Sequence, residues 1–170
     1  MQNKKIEKAL NEQINAEFYS SYLYLAMSAH FEAAGLPGCA KWMQAQAQEE
    51  WFHGMKFYSF VNGRGGRVEL KAIAAPPAKW ASTLAVFEQV LAHEQKVTGL
   101  INGLVDLALK EKDHATTIFL QWFVSEQVEE EAGVNAILGK LRLIGKDTSG
   151  LFALDGELGQ RVFTPPPASE

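Results

Sequence analysis

The chain has 170 residues, enough for one domain with a single substantial core. Its composition, 47% hydrophobic and 21% charged, excludes an intrinsically disordered chain, and the net charge of −4 with scattered Lys and Arg argues against a nucleic-acid partner. No apolar run is long enough for a membrane span, and the N-terminal residues do not resemble a signal peptide. We therefore expect a cytoplasmic protein with no membrane partner.

The first predicted element is a helix over about residues 4–34, which the Gly and Pro of residues 35–38 end. Its inward stripe, in alternating steps of four and three, is Leu10, Ile14, Glu17, Ser21, Tyr24, Ser28 and Phe31. One acid, Glu17, interrupts the apolar pattern. Other apolar residues cover most of the remaining circumference, which predicts a second subunit packed through a two-fold contact.

The second predicted helix, about residues 38–61, carries a Glu-x-x-His pair where core side chains belong. Its inward stripe is Cys39, Met43, Gln46, Glu50, His53, Phe57 and Phe60. Glu50 and His53 lie one turn apart and can chelate one metal ion. The pair alone is weak evidence, because a lone buried histidine is more often a satisfied core residue.

An irregular stretch over residues 67–81, with two prolines, then predicts a crossover along the bundle that leaves the second and third helices parallel. The third helix is predicted over about 83–110 with Ser82 as its N-cap, and the fourth over about 114–144 with Asp113 as its N-cap. Their stripes are Phe87, Val90, Glu94, Val97, Ile101, Leu104 and Ala108, and Leu120, Phe123, Gln127, Glu130, Val134, Ile137 and Leu141.

A short fifth helix is predicted over residues 151–158, and residues 164–170 are predicted to be a disordered tail. The sequence thus indicates an all-α fold: one domain over residues 1–163, a four-helix bundle with a long crossover between its second and third helices.

Polar residues interrupt all four stripes near their midpoints. They are Glu17, then Glu50 with His53, then Glu94, then Gln127 with Glu130. Four desolvated carboxylates repel one another, and two divalent cations would cancel their charge. Oxygen ligands with one imidazole favour iron or manganese, although zinc also fits, and Glu50 is placed to bridge two ions. The alternative is a buried hydrogen-bonded network in which Glu17, Gln127 and His53 satisfy one another.

This set of residues, in this order on four helices with a long central connection, resembles ferritin of the bacterial non-haem type. The segment from Leu120 to Glu131, LQWFVSEQVEEE, is especially specific. The resemblance implies one iron on Glu17, Glu50 and His53 and a second on Glu50, Glu94 and Glu130. It also implies Gln127 beside the pair, Tyr24 in an outer-shell role, and a third iron on Glu49, Glu126, Glu129 and Glu130. From spacing alone, Glu49, Glu126 and Glu129 could instead be a solvated acidic edge.

Two departures from relatives bear on cofactors and iron uptake. Bacterioferritins place a haem-ligating Met where this chain has Trp51, so we expect no haem. Animal ferritins have channel-lining acids where this chain has Thr117 and Leu120, so the route of iron into a shell stays open.

The resemblance implies iron storage. Ferrous iron would be oxidised by dioxygen or hydrogen peroxide, and ferric mineral would be deposited inside a homo-oligomeric shell of 24 subunits. One rival is a di-iron redox enzyme of the rubrerythrin type, which keeps its two irons; the single cysteine rules out the rubredoxin domain that such enzymes usually append. The other rival is a non-catalytic shell subunit.

Overall fold

Five α-helices run through residues 3–165, the part of the chain that the computed structural model describes. They are α1 (Lys4–Ala33), α2 (Pro37–Gly63), α3 (Thr83–Lys110), α4 (His114–Ile144) and α5 (Thr148–Leu158). The predicted all-α fold is confirmed. None of these helices combines the length and the apolar character that a bilayer crossing requires. Of the predicted tail, residues 166–170 lie outside the described residues.

Helix ends follow local signals closely. The predicted caps are confirmed: the Ser82 and Asp113 side chains each accept a hydrogen bond of 3.1 Å, from the backbone N–H of Ala85 and of Thr116. Two starts need correction. Helix α2 begins at Pro37, because proline fits the first turn of a helix as well as it breaks one, and α5 begins at Thr148 rather than at residue 151.

The side-chain amide of an asparagine in α1 hydrogen-bonds the backbone of the crossover, residues 64–82. Asn11 Nδ2 donates to the Arg67 carbonyl at 3.0 Å, and Asn11 Oδ1 accepts from the Glu69 N–H at 2.7 Å. Further along, the ring of Trp80 lies 5.2 Å from that of His30. The segment therefore follows α1 for most of its length, and α2 and α3 run parallel, as predicted.

The core consists of two apolar clusters with a polar layer between them. One cluster includes Tyr24, Phe31, Met43, Phe87 and Leu138, and the other includes Leu10, Phe57, Ile101, Leu120 and Phe123. Every residue of the four predicted stripes is buried except Phe60, which is half-buried. Burial of the stripes turns their polar midpoints into one internal layer.

Helix α5 is fixed to the beginning of α2. Leu36, the N-cap of α2, makes no side-chain capping bond, and Asp155 of α5 accepts instead from the N–H groups of Gly38 (3.1 Å) and Cys39 (2.7 Å). A Cβ on Gly38 would collide with the Asp155 backbone, so the close approach needs glycine there. Leu154 and Leu158 complete the adjoining apolar cluster.

Candidate metal centre

The structure buries all six side chains of the predicted polar layer in the middle of the bundle. Glu17, Glu50, His53, Glu94, Gln127 and Glu130 are each at most 8% exposed. One acid comes from each of the four long helices, because each stripe reaches its midpoint at the same level between the two apolar clusters.

The first half of the layer combines Glu17, Glu50 and His53, whose ligand atoms lie within 4.8 Å of one another. Glu50 Oε2 is 3.5 Å from His53 Nδ1. Glu17 Oε1 accepts a hydrogen bond of 2.9 Å from Gln13, whereas its buried Oε2 has no partner within the described residues. A buried carboxylate oxygen without a donor is costly unless a cation satisfies it, so this set suits a metal ion.

The second half contains Glu94 and Glu130. Tyr24 donates its hydroxyl hydrogen to Glu94 Oε1, and Gln127 Nε2 donates to Glu94 Oε2 at 3.2 Å. Glu130 Oε2 accepts from Gln46 Nε2 at 2.9 Å. The hydrogen bonds from these amides and from the phenol fix the orientation of the two carboxylates, as hydrogen bonds to metal ligands commonly do.

The alternative hydrogen-bonded network is not what the structure forms. It required Glu17, Gln127 and His53 to bond one another. Instead Glu17 accepts from Gln13, and Gln127 donates to Glu94 and Thr98. The donors that hold the acids are the amides of Gln13, Gln46 and Gln127 and the phenol of Tyr24.

The carboxyl groups of the layer have raised pKa values. Burial raises the pKa of Glu17 to about 7, and burial together with the charge of Glu130 raises that of Glu94 to about 8. The pKa of Glu50 lies well above its ordinary value, because the group is buried beside Glu94, Glu17 and Glu130. Without a cation the layer therefore holds protons at neutral pH, and cations that bind there must release them.

The other titratable groups of the layer are neutral at pH 7. Burial, with the nearby charge of Lys56, lowers the pKa of His53 to about 3, so its imidazole is free to act as a ligand. Burial and the surrounding carboxylates raise the pKa of Tyr24 well above its usual value. Tyr24 therefore stays a phenol and a hydrogen-bond donor to Glu94.

A second acidic cluster lies beside the layer and opens to solvent. Glu49, Glu126, Glu129 and Glu130 line a pocket of about 280 Å³. Ligand atoms of Glu49, Glu126 and His53 lie within 4.8 Å of one another, so His53 is close to both clusters. Glu129 is exposed at the pocket's edge. Burial and the charge of Glu130 raise the pKa of Glu49 to about 7.

Three supporting residues were not among the predicted site residues. Gln13 lies one turn before Glu17, to which it donates, and this spacing could have identified it. Gln46 lies on the inward stripe of α2 but donates to Glu130 of α4, a contact that spacing within one helix does not predict. Arg161 follows α5 and donates to Glu49 at 2.5 Å. No sequence pattern connects Arg161 with Glu49, because the two residues are 112 positions apart.

Comparison with known sequences identifies the same class of protein along most of the chain. The ferritin family, described as "Ferritin-like domain", matches residues 7–144. The chain is 45% identical to the bacterial non-heme ferritin of Bacteroides fragilis (strain 638R) over 161 residues, which cover 95% of this chain and 100% of that protein. It is 45% identical to the bacterial non-heme ferritin of Staphylococcus saprophyticus over 163 residues, covering 96% and 98%.

Solved structures match the whole arrangement of helices. An open pore ferritin from the archaeon Archaeoglobus fulgidus superposes with a TM-score of 0.94 at 53% identity, covering 95% of this chain and 99% of that one. A humanized archaeal ferritin gives a TM-score of 0.96 at 53% identity, covering 97% and 100%. These matches include the bundle, the crossover and the short fifth helix.

Proposed function

Because this chain belongs to the ferritin family, we propose that it stores iron by oxidising ferrous ions in its buried carboxylate layer and collecting the ferric product inside a shell. One observation carries the proposal: four buried acids, one from each long helix, meet a neutral imidazole. Such a layer is costly when ionised and empty, and two divalent ions would neutralise it.

Two iron ions would share the layer. Glu17 and His53 would hold the first ion, with the partnerless Oε2 of Glu17 as a ligand atom. Glu94 and Glu130 would hold the second. Glu50, which lies among all of them, would bridge the two ions. Tyr24 and Gln127 would orient Glu94 through their hydrogen bonds rather than bind iron tightly.

Two ferrous ions held in the layer would transfer electrons to one molecule of oxidant. Each of two ferrous ions gives one electron; dioxygen takes both, with two protons, and leaves as hydrogen peroxide. With hydrogen peroxide as oxidant, the same two electrons and two protons give two waters. The protein's part is to hold both ions in reach of one oxidant molecule and to release protons from its carboxyls as iron binds.

A third iron ion would bind in the acidic pocket next to the layer. Glu49, Glu126 and Glu129 would supply carboxylate oxygens to this ion. Glu130, which is buried at the border between the pocket and the layer, would supply another. Since His53 lies close to Glu49 and Glu126, the pocket adjoins the first ion's ligands. An ion leaving the layer toward solvent would find acids along its path.

Exposed apolar side chains support the proposed two-fold dimer within a 24-subunit homo-oligomer. Tyr22 is 50% exposed, Leu25 48% and Trp51 55%. Tyr22 and Leu25 lie one turn apart on α1, and Leu25 and Trp51 line one groove between α1 and α2. A second copy of the same surface would cover them. The residue Trp51, where haem-binding relatives have a ligating Met, packs against Phe18 at 4.7 Å.

Iron retention tests storage directly. Excess ferrous iron is added in air, the protein is passed through a size-exclusion column, and iron per chain is measured in the protein peak. We expect many irons per chain in a very large particle. A plateau at about two irons per chain, the content of a di-iron bundle, would contradict storage and identify a redox enzyme that keeps its metal.

A further inference from the structure

The segment after α5 places a guanidinium group in the acidic pocket. Arg161 Nη2 donates to Glu49 Oε2 at 2.5 Å, and the Arg161 guanidinium carbon lies 4.6 Å from the centre of the Trp42 ring. Two residues later, Phe163 packs against Phe52 at 5.8 Å. Aromatic contacts on both sides thus hold this segment across the surface of α2.

Among the pocket-lining residues in the described range 3–165, Arg161 alone is cationic, and it faces the four acids named above. Its side chain is 27% exposed, and that of Glu49 is 14% exposed, so solvent screens their attraction only in part. A metal ion bound to Glu49 would need the carboxylate oxygen that the guanidinium now contacts. The two positive charges would also repel each other at such short range.

We propose that Arg161 is a positioning residue that competes with iron for Glu49, so that a divalent ion binds the acidic pocket only by displacing the guanidinium. This inference rests on the proposed function, because it assigns regulation to the third iron position. Stacking on Trp42 keeps the displaced guanidinium nearby, ready to return to Glu49. The competition keeps the pocket's affinity low, which suits an ion that must move on.

Binding of zinc, a redox-inert divalent ion, to the whole assembled metal-free protein tests the competition by equilibrium dialysis and calorimetry. The first two equivalents report the buried layer, and the third reports the pocket. Arg161→Gln removes the charge, and we expect it to tighten the third equivalent about tenfold, as an Arg–carboxylate contact of this exposure allows. Arg161→Lys keeps the charge and should stay closer to wild type.

Lys140→Gln is the matched control, because Lys140 forms an exposed pair with Glu157 of α5 and neither residue lines the pocket. It should leave the third equivalent unchanged. A third equivalent that is unchanged or weaker in Arg161→Gln, or a Lys140→Gln effect of the same size, would overturn the inference. An Arg161→Lys variant as tight as Arg161→Gln would also overturn it, since charge would then not be the cause.

Tryptophan fluorescence gives a second readout that packing changes alone would not produce. In wild type, the third zinc equivalent should change the emission as Arg161 shifts over Trp42, and the change should vanish in Trp42→Phe. A third equivalent that binds without any Trp42-dependent change would contradict displacement. If wild type fails to bind the first two zinc equivalents, the proposed function is overturned and this inference with it. If the first two equivalents bind but the affinity of the third does not depend on Arg161, this inference alone is overturned.

Discussion

The buried layer and the open pocket both consist mainly of glutamates, but the negative charge of these residues is neutralised in different ways. In the layer, Glu17, Glu50 and Glu94 are at most 2% exposed, and their pKa values are raised by burial. The hydrogen-bond donors to Glu17 and Glu94 are neutral. In the pocket, Glu49 has Arg161 as a counter-charge and the cluster faces solvent. Without metal the layer is therefore neutralised by protons, whereas the pocket is partly neutralised by a guanidinium.

This difference predicts distinct roles for metal in the two regions. An ion entering the layer displaces protons, and an ion entering the pocket displaces a guanidinium. Changes to the layer should act on the rate of oxidation and on stability, while changes to the pocket should act on stoichiometry. The following variants separate these effects.

Glu50→Ala should have the largest effect, because it removes the carboxylate that both ions of the layer would share. We expect the initial rate of ferrous oxidation to fall by roughly 100-fold or more, beyond the usual loss from a supporting residue. The helical fold should persist, since one of several repelling acids is gone. Stopped-flow absorbance of ferric product measures the rate, circular dichroism checks the fold, and oxidation at the wild-type rate would refute the assignment of the layer.

The metal-free protein should lose stability as pH rises from 6.5 to 8. Unfolded carboxyls lose their protons near pH 4.5, but folded Glu17 and Glu94 keep theirs until about 7 and about 8, and the pKa of folded Glu50 is also raised well above its ordinary value. The folded state then binds more protons, so its stability falls with pH. His53 and His93, with lowered pKa values of about 3 and about 4, act oppositely only below their unfolded value of 6.5.

Chemical unfolding of metal-free protein at fixed concentration measures this slope. We expect the free energy of unfolding to drop by at least about 1 kcal/mol per chain across the window. Glu50→Gln should flatten the slope, and Glu129→Gln, at the exposed edge of the pocket, should not. Equal slopes in wild type and Glu50→Gln would show that the layer does not hold protons as described.

Asp155→Ala should lower the stability of the protein by weakening the contact between α5 and α2, and it should leave the side chains of the layer in place. It removes the acceptor for two N–H groups at the start of α2 and should cost about 2 kcal/mol of stability. Initial oxidation should stay at the wild-type rate, because α5 supplies no group to the layer. Glu157→Gln, which breaks an exposed ion pair on α5, should cost no more than about 1 kcal/mol; equal losses in thermal unfolding would argue against the capping role.

Glu129→Ala should change the ratio of iron oxidised to oxygen consumed more than it changes the rate. Glu129 is exposed at the pocket's edge, so initial oxidation should change by less than about twofold, a difference under 1 kcal/mol. The ratio of iron oxidised to oxygen consumed should change more, since a third ion would no longer be held. An oxygen electrode with known iron additions measures the ratio, and a wild-type value would count against a third iron position.

Sequence patterns were sufficient for the helices and the layer because both depend on short-range spacing. The bounds of α3 and α4 match the prediction, since Ser82, Asp113 and Gly145 give strong local signals. The layer was predictable because buried stripes with polar midpoints recur in register on four helices. Residues 35–38 end α1 as predicted, and α2 begins one residue earlier than predicted, at Pro37, because proline fits the first turn of a helix.

Contacts between distant segments could not be predicted in the same way. Asp155 caps α2 from a position 117 residues away, and Arg161 reaches Glu49 across 112. Each contact depends on the angle at which α5 docks, which no local pattern encodes. The position of His53 close to both acidic clusters could not be predicted either, because spacing within one helix does not determine which side chains of other helices an imidazole faces.

The crossover along α1 also has a consequence for folding, because it joins two helical hairpins. The hairpins α1–α2 and α3–α4 each join helices that are neighbours in the chain, whereas docking of the two hairpins closes the longer 64–82 connection, which costs entropy. Glu17, Glu50 and His53 all belong to the first hairpin, whereas Glu94 and Glu130 belong to the second. A folding chain would thus gain the complete two-ion set only when its halves meet, which makes tight metal uptake a direct report on the docking step.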